Sequence, residues 1–203
     1  MLLLGQASCS VPKNLAPLGK GKVVELNEAN FKPIFKDNFK SFLFKTKMSY
    51  GDKFELGGML MLKQLSEGNF RTIFMTKFGM TLFDFEFGKN GFVVHKALEQ
   101  LDKKIFLKII EEDIEMLLMR GILGNSATIF EKEQASPKKR VIKTQMNKKT
   151  HYFVQEKGLH FTQIHRGKSV RMTLSNNIAS IPRKIEIQHH NIPLTMDLVL
   201  LKH

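Results

Sequence analysis

The sequence predicts a mainly β protein, in which a curled antiparallel sheet of about 11 strands forms an unclosed half-barrel with a helix lid. Three observations lead to this prediction. Apolar and polar residues alternate with a period of two over most of the chain, turn residues separate the alternating segments, and one segment has a helical period. With 203 residues, of which 42% are hydrophobic, the chain can bury a core as one domain.

The N-terminus carries a pattern found in secreted bacterial lipoproteins. Apolar residues 1–4 lead through small residues to Cys9, the only cysteine of the chain. This pattern resembles the end of a lipoprotein signal sequence, whose cysteine becomes the acylated first residue of the mature protein. The resemblance implies a partial signal sequence at residues 1–8, a lipid anchor at Cys9, and a lipidated N-terminus with a tether at 9–30. The alternative is a short cytoplasmic N-terminus.

A short helix is predicted near residues 27–35, followed by a β-meander from Phe39 to Val94. Period-two alternation runs through the meander, with turns at 49–52, 66–69 and 88–91. One face of its strands is aromatic, and the predicted domain of residues 31–203 is built on that face. A Phe-rich strand face is commonly plain core. The excess of strands over helices nevertheless favours an apolar cavity, and Met59, Met61, Met75 and Met80 would add adaptable surface for acyl chains.

The next segment predicts an amphipathic helix. Asp102 is the predicted N-cap, and apolar residues recur at helical spacing from Ile105 to Leu118. Gly121 follows as the predicted stop, and residues 111–113, Glu-Glu-Asp, are predicted to lie on the solvated side.

The C-terminal half returns to short alternating segments. Strands are predicted at 127–133, 140–146, 151–156, 160–165, 169–174, 183–189 and 194–201.

The formal net charge of +13 predicts an anionic partner such as a membrane surface, although solvated lysines alone are an equal alternative. The densest positive stretch, residues 138–149, falls on a hairpin without interleaved aromatic residues, so nucleic acid is not expected as a partner. The seven histidines are predicted to be scattered over the surface. No nucleophile elbow, phosphate-binding loop or metal-ligand spacing occurs, so the sequence predicts no enzyme, no cofactor and no metal site.

The pattern of elements resembles the LolA and LolB lipoprotein-carrier fold, and most closely the LolB-like outer-membrane lipoproteins of Bacteroidetes. The residues that carry the resemblance are Ala7-Ser8-Cys9 and the segments 57–62, 76–86 and 101–104. The resemblance implies an unclosed antiparallel barrel whose apolar cavity receives acyl chains. The enterobacterial receptor inserts its cargo with an exposed leucine on an early loop, whereas the turns at 66–69 and 88–91 are short and polar here.

The leading hypothesis is therefore an outer-membrane-anchored periplasmic lipoprotein, monomeric, that binds acyl chains or lipoproteins in its concave face. The predicted cavity-lining residues are Phe42, Phe44, Leu60, Phe83 and Phe85, with Phe106 and Ile110 on the lid helix. The alternative is a structural or assembly lipoprotein that docks another envelope protein through its basic face. A cytoplasmic basic binding module is a third hypothesis.

Overall fold

The computed structural model describes residues 11–15, 18–35, 39–88, 91–99, 101, 103–132, 139–156, 161–175 and 181–202. These residues form thirteen strands and one α-helix, α1 (Lys104–Leu118). The strands are β1 (Lys22–Glu25), β2 (Ser41–Tyr50), β3 (Phe54–Ser66), β4 (Asn69–Met75), β5 (Thr81–Gly88), β6 (Gly91–Ala97), β7 (Ser126–Lys132), β8 (Lys139–Met146), β9 (Lys149–Glu156), β10 (Phe161–Arg166), β11 (Val170–Ser175), β12 (Lys184–His189) and β13 (Leu194–Lys202).

All thirteen strands belong to one antiparallel sheet in the order β1-β7-β8-β9-β10-β11-β12-β13-β2-β3-β4-β5-β6. Strands β1 and β6 are its two edges, and they are not paired with each other. The last strand, β13, pairs with β2, which joins the N-terminal meander to the C-terminal one. The predicted unclosed antiparallel sheet with one helix is therefore confirmed, with thirteen strands instead of about 11.

The sheet curls around α1, because the helix contacts strands that lie far apart in the sheet. Lys149 on β9 pairs with Glu112 of α1, and the ring of Phe54 on β3 lies 5.9 Å from that of Phe106. Strands β9 and β3 are six positions apart in the strand order. In a flat sheet six positions span about 29 Å, whereas a helix with its side chains is about 10 Å wide. The strands must therefore wrap around the helix.

Alternation directs every second side chain of the strands into the core. In β2, the residues Phe42, Phe44, Thr46 and Met48 are buried while their neighbours are more exposed, as the period of two predicts. The helix buries Ile110, Ile114 and Leu117 completely against this inner face. One large apolar core cluster results.

The segment at 26–35 also covers the core, and it is not the helix that the sequence predicts. The side-chain oxygen of Asn27 accepts hydrogen bonds from the backbone N–H groups of Ala29 and Asn30 at 3.0 and 3.2 Å, which favours a turn over a helix. The Phe31 ring packs 5.3 Å from Phe153 of β9, and Phe35 packs 4.6 Å from Phe42 of β2. Helix α1 is therefore not the only cover of the inner face.

The described part of the predicted tether also lies on the sheet. Strand β1, within residues 9–30, pairs with β7. Leu15 is buried against Val141, Tyr152 and Val154 on the outer face of the sheet. The apolar residues of this segment have no regular spacing in the sequence, and each is buried by a contact with a strand far along the chain. The sequence pattern therefore did not predict their packing. Cys9 lies outside the described residues.

The ends of α1 differ from the prediction. Lys103 occupies the N-cap position without a side-chain hydrogen bond, and Asp102 lies outside the described residues. At the other end, Met119 already adopts the left-handed conformation, with a φ of 51°, two residues before the predicted stop at Gly121. Met119 is 2% exposed, and the burial of its side chain in the core offsets the cost of this conformation.

Candidate functional site

The structure brings all seven predicted cavity residues together in one packed core. Six are 4% exposed or less, and Phe106 is 9% exposed. The rings of Phe83 and Phe85 stack at 4.4 Å, and Phe74 lies 5.4 Å from Phe83. The two pockets described below are lined by other residues. The seven residues thus form the apolar interior between α1 and the sheet, and their role as an acyl-chain cavity stays a prediction.

The methionines of β3 and β4 face away from this interior. In β3, Leu60 and Leu62 are fully buried, while Met59 and Met61 alternate with them and are partly exposed. On the outer face, Met61 lies between Leu43 and Ile73, and Met59 pairs with Met75. These methionines therefore give the outer face of the sheet an apolar patch, and they do not line the interior.

A polar cluster lies between α1 and the inner face. Asp113 is fully buried, and one of its carboxylate oxygens lies 2.8 Å from Nε2 of His189 on β12. Its other oxygen is 3.4 Å from Nη1 of Arg166 at the end of β10. The same Arg166 nitrogen is 3.4 Å from Glu112, which also pairs with Lys149. The prediction that residues 111–113 form a solvated face is therefore wrong for Asp113.

The helical period explains why Asp113 is buried. It lies three residues after Ile110 and four before Leu117, both of which are fully buried. Residues at these spacings share one side of a helix. The signal that could have placed Asp113 in the core was therefore present in the sequence.

A pocket of about 350 Å³ opens beside this cluster. It is lined by Lys108, Glu111, Glu112, Glu115, Met116, Met146, Asn147, Lys149, His151 and Arg166. Helix α1 supplies one wall, and the strands β8, β9 and β10 with the β8–β9 turn supply the other. Asn147 in that turn donates a hydrogen bond of 2.5 Å to the Glu115 carboxylate.

Burial shifts the acid–base properties of two groups in the pocket. His151 is 3% exposed, and this burial lowers its pKa to about 4; the hydrogen bond with the Lys149 carbonyl opposes this shift, and the positive charges of Arg166 and Lys149 add to it. His151 is therefore neutral at pH 7. Burial, with the nearby charge of Glu111, raises the pKa of Glu115.

The prediction of scattered surface histidines is wrong for three of them. His151 lies on the inner face in the pocket, and His189 lies on the inner face against Asp113. His165 is buried on the outer face, 3.1 Å from Gln163, and burial lowers its pKa to about 4. His160 and His203 lie outside the described residues. Among the described residues, no group of three His, Cys, Asp or Glu could hold a metal ion.

A second pocket, of about 480 Å³, lies at the C-terminal end of α1. Its walls include Phe70 of β4, Gly88 of β5, Leu118 of the helix, and Met119 directly after the helix. Arg120 donates a hydrogen bond of 3.1 Å to the Gly88 carbonyl. Glu115 and Asn147 line both pockets, so the two adjoin around the last turn of the helix.

The turn between β4 and β5 presents an exposed apolar tip that the sequence did not predict. Phe78 is 99% exposed and Met80 is 53% exposed. The turn is closed by hydrogen bonds from the N–H of Thr76 to the Met80 carbonyl at 2.8 Å and from the N–H of Gly79 to the Thr76 carbonyl at 3.0 Å. Gly79 has a φ of +82°, which favours glycine.

The comparisons with known proteins find a likeness in structure, not in sequence. No protein-family model matches the chain, and no curated protein matches it. The structure is similar to an outer membrane lipoprotein-sorting protein domain from Vibrio parahaemolyticus, with a TM-score of 0.46 and 6% sequence identity over 80% of this chain and 84% of that chain. No helix in the described part of the chain is long and apolar enough to cross a membrane.

Proposed function

We propose that this protein is a periplasmic lipoprotein, anchored in the outer membrane through Cys9, that binds acyl chains or lipoproteins between α1 and the inner face of the sheet. It acts as a monomer and as a binding protein without a catalytic role. One observation carries the proposal. In the described part of the chain, a 15-residue helix and the segment at 26–35 cover an aromatic interior in a sheet whose two edge strands are not paired with each other.

The unpaired edges matter for entry of an acyl chain. A closed barrel can widen only by breaking strand pairs, whereas an unclosed sheet can widen without losing hydrogen bonds between strands. Movement of α1 away from the strands would expose the face that carries Phe44, Leu60, Phe83 and Phe85. Acyl chains would then replace the contacts that the helix makes, because both surfaces are apolar.

The tip between β4 and β5 supports the membrane part of the proposal. A phenylalanine that is 99% exposed has little packing role in the folded chain. Lys77 beside it is exposed and positively charged. An apolar side chain with an adjacent lysine suits the interface of an anionic membrane, where the ring enters the acyl region and the ammonium group contacts headgroups.

The proposal is tested by photocrosslinking with a palmitoylated peptide that carries a diazirine in its acyl chain. Neighbouring residues of β3 provide an internal comparison, because Leu60 points inward and Met59 and Met61 point outward. Adducts on Leu60, Phe83 and Phe106 that unlabelled peptide competes away are expected. Adducts confined to Met59 and Met61, or no adducts that are competed away, would refute an acyl-binding interior.

A second candidate function is docking of another envelope protein, and the outer face of the sheet favours it. Leu43, Met61 and Ile73 form a row across β2, β3 and β4 on that face. An outer apolar row of this kind suits a protein partner, and methionine side chains adapt to its shape. Crosslinking in cells from position 61 to one dominant protein, with no acyl adducts in the interior, would favour docking over carriage.

A further inference from the structure

We infer that the pocket of about 350 Å³ beside α1 binds the zwitterionic headgroup of an amphiphile, with a phosphate and a primary ammonium group. This inference rests on the proposed function, because it names the polar end of the molecule whose acyl chains would enter the core. Pockets of about 300–1,000 Å³ typically bind small molecules, so the volume suits a headgroup.

The charges of the lining favour a ligand that carries both signs. Three cations, Lys108, Lys149 and Arg166, face three carboxylates, Glu111, Glu112 and Glu115. The lining is therefore neutral in a chain whose formal net charge is +13. An anion would meet the carboxylates and a cation would meet the basic groups, whereas a zwitterion can place each charge against its opposite.

Arg166 is the group that would receive the phosphate. It is 7% exposed, and its Nη1 atom makes no hydrogen bond. The two carboxylate oxygens nearest to this nitrogen are each 3.4 Å away, which is longer than a charge-assisted hydrogen bond. Because these long ion pairs compensate the desolvation of the buried guanidinium only in part, a phosphate oxygen within hydrogen-bond distance of Arg166 would recover some of the remaining cost.

The ammonium group would lie against Glu111 and Glu115. These two residues are four apart on α1, so they lie on the same side of the helix. Burial raises the pKa of Glu115 and the negative charge of Glu111 adds to this shift, so the two carboxylates repel each other. Lys108 pairs with Glu111 at 3.0 Å, and its side chain is 58% exposed. A ligand ammonium would displace this lysine into water and lie between the two carboxylates, where its three N–H donors match the carboxylate acceptors.

The pocket also leads into the apolar core. Met116 and Met146 line the pocket, and both belong to the main core cluster. Met116 is fully buried and Met146 is 5% exposed. A headgroup held at Arg166 would therefore have its attached chains directed along the two methionines toward the interior, which is the arrangement that an amphiphile requires.

The test is titration of the full chain with glycerophosphoethanolamine, which has the headgroup and no acyl chain, followed by NMR of backbone amides. Glycerophosphocholine, whose ammonium has no N–H donor, and glycerophosphoglycerol, which has no ammonium, are the comparison ligands. We expect saturable shifts at the pocket residues and binding at least tenfold weaker for both comparison ligands, or about 1.4 kcal/mol at 25 °C.

Two variants remove the two halves of the site. Arg166→Gln and Glu115→Gln are each expected to weaken binding at least tenfold, while Glu55→Gln, on the outer face, leaves it unchanged. Glu115→Gln keeps the test valid if Arg166→Gln fails to fold. Equal binding of all three ligands, absence of saturable shifts, or an equal loss in Glu55→Gln would overturn the inference. Because the ligand has no acyl chain, these outcomes are independent of the photocrosslinking test of the interior.

Discussion

Replacement of Asp113 by alanine is the sharpest test of how α1 is held on the sheet. The side chain of Asp113 is 1% exposed, and its partners His189 and Arg166 are 5% and 9% exposed. Truncation leaves the Arg166 guanidinium buried with Glu112 as its remaining carboxylate. Removal of one partner of a buried ion pair typically costs about 3–5 kcal/mol, and we expect Asp113→Ala to lower the free energy of unfolding by this amount.

Glu111 provides the matched control on the same helix. Its carboxylate lies 3.0 Å from Lys108, and the side chains of Glu111 and Lys108 are 15% and 58% exposed. Truncation of Glu111 leaves behind only this solvated lysine and no buried unpaired charge, so Glu111→Ala is expected to lower the free energy of unfolding by about 0–1 kcal/mol. Urea denaturation followed by circular dichroism measures both values, and hydrogen exchange of the α1 amides shows whether the loss includes the helix. A cost below 1 kcal/mol for Asp113→Ala would refute the burial of this pair.

Three further perturbations test other parts of the structure. A Cβ added at Gly58 would overlap the backbone carbonyl of Met75, whereas a Cβ added at Gly57 would meet nothing within 4 Å. In the same denaturation assay, Gly58→Ala is therefore expected to lower the free energy of unfolding by about 1–3 kcal/mol more than Gly57→Ala does. His151 has a pKa of about 4 in the folded chain and an ordinary value of 6.5, so the unfolded chain binds its proton more readily. The free energy of unfolding therefore falls as the pH drops below 6.5, and between pH 8 and pH 5.5 it falls by about 1.4 kcal/mol. His151→Gln should reduce the measured pH dependence by that amount, and an unchanged dependence would contradict the shift. Phe78→Glu is expected to change the free energy of unfolding by no more than about 0.5 kcal/mol. It is expected to weaken cosedimentation of the protein with vesicles that contain anionic phosphatidylglycerol. Unchanged vesicle binding would exclude the tip as a membrane contact.

The strands could be predicted because their signal is local. The last strand is predicted at 194–201 and observed at Leu194–Lys202, and the strand predicted at 151–156 is observed at Lys149–Glu156. Alternation assigns each residue to a face without knowledge of its partner strand. The same alternation placed Phe42 and Phe44 correctly on the buried face of β2.

The polar cluster under α1 and the pocket beside it could not be predicted in this way, because their parts are far apart in the sequence. Asp113 and His189 are separated by 76 residues, and they meet only when β12 takes its place in the curled sheet. The segment at 26–35 was missed for a related reason, since Phe31 and Phe35 are buried by strands from opposite halves of the chain. Their spacing has no period, and each residue is buried by its own tertiary contact.

The polar contacts under α1 bear directly on whether the interior is a cavity or a packed core. Leu60 and Phe83 are fully buried, so an acyl chain can enter only if a covering element, such as the helix, separates from the sheet. If apolar contacts alone held the helix, its separation from the sheet would lose the free energy of apolar burial without any compensating hydration of polar groups. Asp113 and Arg166, by contrast, recover hydration when they are exposed, which offsets part of the lost attraction. In the proposed carrier, the buried ion pairs therefore lower the free-energy cost of separating the helix from the sheet, on the side of the helix where the headgroup pocket lies. A scaffold with a permanently filled core would instead gain stability from apolar residues at these positions.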